Sequence, residues 1–297
     1  MTTARVDWFT GTTYLDADDV LTRVHDVTDG AGFEVRPGRW MYGKRYVSSE
    51  GIEVLVDPVN PETMPPVCVN VPGSACAWLG AERVQRLAEL VEPTRIDFAW
   101  DDVGFDVADV ARWVRAGDMR TRLRSAVVHE AVMGADGNGV TIGTRNGTAQ
   151  LVAYDRRGPV RLELRLRGER ASAAYDVLMA EPGSWSGAFT ELLRGVVDFV
   201  DRSQESRADR APLHPSWDAF LDGAQRVVVA LAGAVAPSLD RAAAWVRRQV
   251  GKTLHMLEVA GYDVRDAVTE GRRRMTRSDD LRMHAWLHGP PAFTPTL

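Results

Sequence analysis

The sequence predicts an α+β fold in which helices flank a largely antiparallel sheet and an α-helical C-terminal module follows. Before residue 168, short segments alternate apolar and polar residues as half-buried antiparallel strands do, with helical repeats between them. After residue 169 the apolar spacing is helical throughout. A composition of 45% hydrophobic and 26% charged residues in 297 residues is typical of a globular protein and excludes disordered, collagenous and coiled-coil chains.

The N-terminal segment predicts a strand, a helix and then three further strands. Residues 6–13 alternate and are rich in β-branched and aromatic residues, while residues 16–27 begin with acidic capping residues and predict a helix. Residues 42–47 and 51–56 form a predicted hairpin. A proline-rich loop then leads into a predicted strand at 67–71.

The central segment mixes helices and strands. Residues 79–90 have helical spacing, and Pro93 blocks the continuation of that helix, so residues 95–100 are predicted to be extended. An amphipathic helix follows at 107–116. Strands in quick succession are then predicted over residues 125–133, 140–143, 149–154 and 160–167.

The C-terminal part predicts helices alone. They cover residues 171–179, 186–202, 217–235, 239–260 and 262–274. The polar stretch 203–215 contains two prolines and indicates a linker. We therefore divide the chain into an α+β domain over residues 1–206 and a helical module over residues 207–297.

Charge and cysteine content narrow the function classes. A net charge of −5 argues against a protein that coats nucleic acid indiscriminately. The basic residues are nearly all arginine, which suits bidentate phosphate contacts, and they bunch within 112–124, 156–170 and 272–282. Cys68 and Cys76 match no metal or redox spacing and are predicted to be buried thiols. Neither a signal peptide nor a membrane span is indicated, so we expect a cytoplasmic protein.

Polar side chains share one face of the strand predicted near residue 97. In Arg95-Ile-Asp-Phe-Ala-Trp-Asp-Asp102, the side chains of Arg95, Asp97 and Asp101 point the same way because side chains alternate along a strand. Two carboxylates therefore lie on one wall of the predicted sheet.

The strand at 160–167 alternates strictly. Its three leucines occupy one face, and the other face carries Arg161, Glu163, Arg165 and Arg167. A solvated strand face is one interpretation. One acid among three arginines also suits a phosphate-handling surface with a single metal ligand.

Tyr154 ends an apolar strand and is followed by Asp155, Arg156 and Arg157. An interfacial tyrosine with a satisfied hydroxyl would explain it if it stood alone. Beside two acidic strands it is also a candidate nucleophile. A phenol is almost fully protonated at neutral pH, so attack requires a base, a cation or a metal-polarised phosphate.

The order of these segments carries a family resemblance. The matching motifs are Arg-Ile-Asp-Phe-Ala-Trp-Asp-Asp at 95–102, Thr-Ile-Gly-Thr-Arg at 141–145, Tyr-Asp-Arg at 154–156 and Leu-Glu-Leu-Arg-Leu-Arg-Gly at 162–168. Val-Pro-Gly-Ser-Ala-Cys at 71–76 and Val-Asp-Phe-Val-Asp at 197–201, with Trp217, extend the match. This pattern resembles the Rep_trans family of rolling-circle replication initiators, which includes relatives of the MobT-like relaxases.

The resemblance implies a metal-dependent nicking and joining enzyme, with residues 1–206 as its catalytic domain. Tyr154 would attack one strand at a replication origin and stay joined to the 5′-phosphate. Asp97 and Glu163, with Asp101 as a third candidate, would bind Mg²⁺ or Mn²⁺. Arg156 and Arg165 would offset charge on the phosphoryl group, and Arg156 replaces the lysine usual in the family. Further DNA contacts are assigned to Arg145, Arg157, Arg161 and Arg167.

The implied partners are origin DNA presented as a hairpin or a single strand, a second copy of the chain in a homodimer, and a helicase of the PcrA/UvrD type, with no membrane. The helical module over 207–297 would serve DNA or partner contacts.

Two alternatives stay open, namely a conjugative relaxase that nicks a transfer origin and a DNA-binding regulator without cleavage. No Gly-x-x-x-x-Gly-Lys-Ser/Thr loop occurs, so ATP hydrolysis is not indicated.

Overall fold

The structure is a computed structural model that describes residues 4–129, 138–155, 160–180, 185–226, 246 and 251–273. The chain divides into two compact units, residues 1–229 and 230–297. No helix among the described residues combines the length and apolar character needed to cross a membrane.

Ten of the described strands form one large sheet in the first unit. In chain order the strands are β1 (Arg5–Thr13), β2 (Phe33–Pro37), β3 (Tyr42–Ser48), β4 (Glu53–Pro58), β5 (Val67–Val71), β6 (Glu92–Asp101), β7 (Met119–Thr121), β8 (Ala126–His129), β9 (Gly139–Ile142), β10 (Ala149–Asp155), β11 (Val160–Arg167) and β12 (Val197–Phe199). The spatial order of the large sheet is β2-β3-β4-β5-β1-β6-β11-β10-β9-β8, and β12 pairs with β7 in a small second sheet. Every one of these pairings is antiparallel.

The helices of the first unit are α1 (Ala17–Val27), α2 (Gly73–Ala88), α3 (Val107–Ala116), α4 (Glu169–Ala180), α5 (Trp185–Val196) and α6 (Pro215–Leu221). Their ends follow local chemistry. The Asp16 side chain accepts a hydrogen bond from the Asp18 amide and caps α1, as its sequence predicts. Asp106 and Asp109 form a reciprocal capping box on α3, which ends at Gly117 in the left-handed conformation that glycine tolerates. The described part of the second unit contains α7 (Gly251–Val259) and α8 (Val264–Arg273).

The apolar face of the sheet and the helices of the first unit form the main hydrophobic core of that unit. Leu162, Leu164 and Leu166 of β11 are all buried in it, as their strict alternation predicts. The Phe98 ring of β6 stacks on the Phe189 ring of α5 at 4.1 Å between centroids. Cys68 and Cys76 are buried free thiols, as predicted, and burial raises the pKa of Cys68 to about 12.

The predicted α+β class with a largely antiparallel sheet is confirmed, and several boundaries differ. The helix predicted over 186–202 is wrong at its end, because Val197 and Phe199 lie in β12, where pairing with β7 buries both side chains. Helix α2 begins at Gly73 rather than at residue 79. Strands β2, β7 and β12 were not predicted from the sequence.

The stretch predicted as a linker, residues 203–215, is fixed to the first unit. Arg120 donates hydrogen bonds to the carbonyl oxygens of Ala208 and Ala211, and the His214 amide donates to the Phe199 carbonyl. Trp217 follows and is fully buried in the core. The chain passes from the first compact unit to the second after residue 229, and the functions assigned to residues 1–206 and 207–297 stay predictions.

Candidate active site

The candidate site lies on the polar face of the sheet, where β10, β11 and β6 run side by side. The register places Tyr154 opposite Arg161, Arg161 opposite Asp101, and Arg165 opposite Asp97. Because alternate residues share a face, this pairing brings the polar side chains of three strands together. Side chains distant in the sequence thereby form adjacent rows.

Tyr154 and Glu163 are in direct contact. The phenol donates a hydrogen bond to Glu163 Oε1 at 2.5 Å, and Arg165 donates to Glu163 Oε2 from Nε at 2.9 Å and from Nη2 at 2.6 Å. Burial, and then the hydrogen bond to Glu163, raise the pKa of Tyr154, so the phenol holds its proton at neutral pH. That proton already faces a carboxylate, and Glu163 is only 4% exposed.

Asp97 is the second buried acid of the site. It is 2% exposed and accepts hydrogen bonds from Arg95, whose Nε lies 3.0 Å from Oδ1. Arg165 Nε lies 3.9 Å from Asp97 Oδ2, so one guanidinium sits between Asp97 and Glu163. Burial is the largest influence on Asp97 and raises its pKa despite the two arginines.

Asp101 belongs to a neighbouring ion-pair cluster. Arg161 Nε donates to Asp101 Oδ1 at 2.7 Å, and Arg161 Nη2 donates to Asp101 Oδ2 at 3.0 Å. Arg5 Nη1 lies 2.7 Å from the same Oδ2. Burial opposes ionisation of Asp101, yet the hydrogen bonds from both arginines prevail and lower its pKa. Asp101 is thus engaged by two guanidinium groups.

Asp7 is a site residue that sequence reasoning missed. Arg161 Nη1 donates to Asp7 Oδ1 at 3.1 Å. A bulge in β1, where Val6 pairs with Phe98 and Trp8 pairs with Asp97, inserts Asp7 as an extra residue and turns it toward this cluster. The signal in the sequence is the spacing of two buried apolar residues, Val6 and Phe9, which are three positions apart rather than two.

The predicted solvated face of β11 is not what the structure shows. Arg161 is 3% exposed and Glu163 is 4% exposed, whereas Arg165 and Arg167 are half-buried. Arg167 Nη1 is buried without a hydrogen-bond partner among the described residues, and burial together with the charge of Arg95 lowers the pKa of Arg167. Such a donor suits an anionic partner.

The remaining predicted arginines lie elsewhere. Arg145 is exposed in the turn between β9 and β10, at the opposite end of β10 from Tyr154. At roughly 3.3 Å per residue along a strand, the structure does not bring Arg145 to the phenol. Arg156 and Arg157 lie outside the described residues.

The polar face continues from Arg95 across β1, β5 and β4. The Arg95 guanidinium lies 4.4 Å from the Trp8 ring, and Trp8 Nε1 donates to Thr10 Oγ1 at 3.0 Å. Thr10 donates to Asn70 at 2.9 Å, and Asn70 donates to the buried Glu53 at 2.9 Å. Sequence reasoning missed this network, because only the pairing of the strands brings its members together.

The carboxylates of the site are candidate ligands for a divalent metal ion. Among the described residues, no three His, Cys, Asp or Glu side chains converge as a ready-made ligand set. Asp97 and Glu163 nevertheless offer carboxylate oxygens, which Mg²⁺ and Mn²⁺ prefer. Burial raises the pKa of Asp7, and the charges of Glu163 and Asp97 raise it further, so the three acids are close enough to repel each other. Arg161, Arg95 and Arg165 already offset part of this charge. The fit to a hard metal ion rests on the carboxylate oxygens of Asp97 and Glu163.

Comparison with known proteins assigns the chain to a family. Residues 91–271 match the family model of Rep_trans, described as replication initiation factor. The chain belongs to this family. The Rep_trans match includes β6, β10, β11 and Trp217, and it begins after Asp7, so the bulge in β1 lies outside it.

The Rep_trans assignment agrees with the fold. A solved structure of a rolling circle replication initiator protein from Geobacillus stearothermophilus matches with a TM-score of 0.62 and 20% sequence identity. The match covers 78% of this chain and 99% of that one. No curated protein matches the chain. The similarity of this Rep_trans protein to the solved structure shows the fold alone.

Proposed function

We propose that this protein is a rolling-circle replication initiator that nicks and rejoins one DNA strand at its origin through a covalent bond to Tyr154. The observation that carries the proposal is the contact of the Tyr154 hydroxyl with Glu163 at 2.5 Å. A nucleophile in hydrogen-bond contact with a base that a third group orients is the geometry of covalent catalysis. Arg165 is that third group, because it holds the other oxygen of Glu163.

The proposed step is an in-line transesterification. The Tyr154 oxygen forms a bond to the scissile phosphorus, the bond from phosphorus to the 3′-oxygen breaks, and the phenolic proton passes to Glu163 Oε1. The departing 3′-oxygen takes a proton from water. The products are a 5′-phosphotyrosine and a free 3′-hydroxyl that primes synthesis, and the reverse reaction rejoins the strand.

Arginine charges support the phosphoryl group during this step. Arg165 is 29% exposed, so part of its guanidinium faces away from Glu163 and can meet phosphoryl oxygens. Arg161 is held against Asp101 and Asp7 and acts as a fixed positive charge beside the phenol. Its charge works to lower the pKa of Tyr154, although burial and Glu163 outweigh it.

Asp97 and Glu163 are the residues that would hold Mg²⁺ or Mn²⁺, and Asp7, whose pKa the charges of both help to raise, is a further acid beside them. When bound, the ion would supply a Lewis acid that polarises the scissile phosphate. Arg95 and Arg165 donate hydrogen bonds to these two acids and hold them in place.

The proposed substrate is origin DNA in a hairpin or single-stranded form, because a phosphodiester inside a regular duplex is poorly placed for in-line attack. A homodimer and a helicase of the PcrA/UvrD type are proposed partners. A conjugative relaxase would use the same chemistry at a transfer origin, so mapping the nick relative to the replication and transfer genes distinguishes the two roles.

The decisive experiment incubates the protein with Mg²⁺ and a supercoiled plasmid that carries its own gene. We expect an open circle with protein attached to the 5′ end of the nick. Tyr154→Phe should abolish both products and retain origin binding, since it removes one hydroxyl and little contact area. Tyr14→Phe, which removes the same hydroxyl group from an exposed tyrosine, is the control and should cut normally. A covalent adduct that persists in Tyr154→Phe would place the nucleophile elsewhere, and a chain that binds the origin without ever cutting it would be a regulator.

A further inference from the structure

A cavity of about 500 Å³ lies where α2 begins, beside the N-terminal end of β1. It is partly polar and partly apolar. Its polar rim includes Arg5, Asp7 and Arg161, and its apolar wall includes Ala77, Val84 and Phe189. Clefts that bind small ligands have volumes of roughly 300 to 1,000 Å³ and the same mixture of apolar walls with a few polar groups.

The rim of this cavity is continuous with the candidate active site. Arg161 Nη1 donates to Asp7 at 3.1 Å, while its Nε and Nη2 hold Asp101. Arg161 also pairs with Tyr154 across β10 and β11. A ligand at this rim therefore contacts Arg161, the direct cross-strand neighbour of Tyr154.

We propose that the cavity holds one nucleotide adjacent to the scissile phosphate, with its base against the apolar wall and its sugar-phosphate backbone at the arginine rim. This inference rests on the proposed function and names the substrate group that this part of the site binds. Enzymes that act on nucleic acid often turn a nucleotide out of the stack and seat its base in a pocket of apolar side chains. The strand must bend at that point, and the bend presents the neighbouring phosphodiester to the nucleophile.

One rim cation is available to the phosphate of a nucleotide. Arg161 is 3% exposed, and its Nε, Nη1 and Nη2 donate to Asp101 and Asp7, so these contacts fix its position and offset its charge. Arg5 is half-exposed and contacts Asp101 through Nη1, and because a guanidinium has several N–H donors it can also meet a phosphate. The apolar wall beside it suits a base.

Binding without cleavage tests the proposal. The full-length chain in EDTA is titrated, by fluorescence anisotropy, against dA10, dC10, dT10 and an abasic decamer with the same number of phosphates. We expect the wild-type protein to bind at least one homopolymer about tenfold more tightly than the abasic strand, since a seated base contributes on that order. Ala77→Leu and Ala81→Leu each place a branched side chain in the cavity and should reduce that ratio about tenfold, with little change in affinity for the abasic strand.

Glu82→Leu is the matched control, because Glu82 is an exposed residue of the same helix that does not line the cavity, and the ratio should be kept. Thermal unfolding of each variant establishes that it is folded, and two cavity variants guard against the failure of one. A wild-type ratio near one, or a ratio that both cavity variants retain, overturns the proposal. Nicking is not the readout, so a protein that never cuts its plasmid overturns the proposed function alone.

Discussion

At the scale of single residues, each acid of the candidate site has an arginine partner. Glu163 faces Arg165, Asp97 faces Arg95, and Asp101 faces Arg161. Buried carboxylates require such partners, because an unpaired buried charge is strongly unfavourable. The pairing gives each carboxylate a charged hydrogen-bond partner in a low-dielectric environment.

Glu163→Gln separates the chemistry of this residue from its hydrogen bonding. Glutamine can still accept a hydrogen bond from the Tyr154 hydroxyl, yet it cannot take the proton. We expect the cleavage rate of a single-stranded origin oligonucleotide to fall by about 10² to 10⁴, measured in single-turnover reactions. Glu169→Gln, on an exposed acid at the start of α4, is the control and should leave the rate unchanged. Equal rates for Glu163→Gln and the wild type would remove Glu163 from the proposed mechanism.

The raised pKa of Asp97 predicts that the free energy of unfolding depends on pH. Burial raises its pKa in the folded state, so the folded protein binds this proton more tightly than the unfolded chain. The contribution of Asp97 to stability is therefore largest at low pH and declines as pH rises through the raised pKa. In EDTA, the free energy of unfolding of the wild type minus that of Asp97→Asn should fall as the pH rises above about 4, the ordinary value for an unfolded Asp. Denaturant titrations give this difference. A difference that rises with pH would mean that the arginines outweigh burial.

At the scale of elements, the capping box of α3 is expected to contribute to the free energy of unfolding. Asp106 accepts a hydrogen bond from the Asp109 amide at 2.7 Å, and Asp109 accepts one from the Asp106 amide at 3.1 Å. Asp106→Ala should lower the free energy of unfolding by about 1 kcal/mol, because it leaves a helix amide unpaired. Arg112→Ala, which removes only an exposed ion pair to Asp109, should cost less than about 0.5 kcal/mol. Comparable losses in the two variants would show that the cap contributes little.

The elements also show how far the sequence determines the site. Strict alternation in β11 correctly predicted which residues face the core, and the acids on β6 were placed on one face by the same rule. Asp7 was not predicted as a site residue, because a bulge changes the phase of alternation in β1. The sequence of one strand does not show where its pairing with the neighbouring strand shifts by one residue. The residues of β12 were predicted as helix, because the preceding residues have helical spacing and a strand of three residues is too short to show a period of two.

At the scale of the whole molecule, the buried position of Trp217 predicts the outcome of truncation. A chain that ends at Arg226 keeps Trp217 and Leu221 in the core and should unfold cooperatively in calorimetry. A chain that ends at Ser206 lacks both and should fail to fold, since loss of one large core side chain already costs about 3 to 5 kcal/mol. Trp217→Ala in the full chain is the matched comparison and should lose about that amount. A cooperative transition in the chain ending at Ser206 would contradict this account.

The same truncation tests the role of the second unit, which we propose supports origin recognition or partner contacts. Arg272 of α8 is exposed, and basic side chains on helices are suited to phosphate contacts. The chain ending at Arg226 should still cut a single-stranded oligonucleotide and lose its preference for the duplex origin. A folded chain that no longer cuts the single strand would place part of the second unit in the reaction itself.

The distance along the chain between the strands of the site has a consequence for protein synthesis. Asp7 and Arg161, which contact each other, are 154 positions apart. Chains emerge from the ribosome N-terminus first, so β1 and β6 are available long before β11. Tyr154 itself appears before Glu163, so the hydrogen bond between them forms only after the last long strand of the sheet has left the exit tunnel and paired. Under the proposed mechanism, an incomplete translation product that ends before β11 would therefore carry the tyrosine without its proposed base.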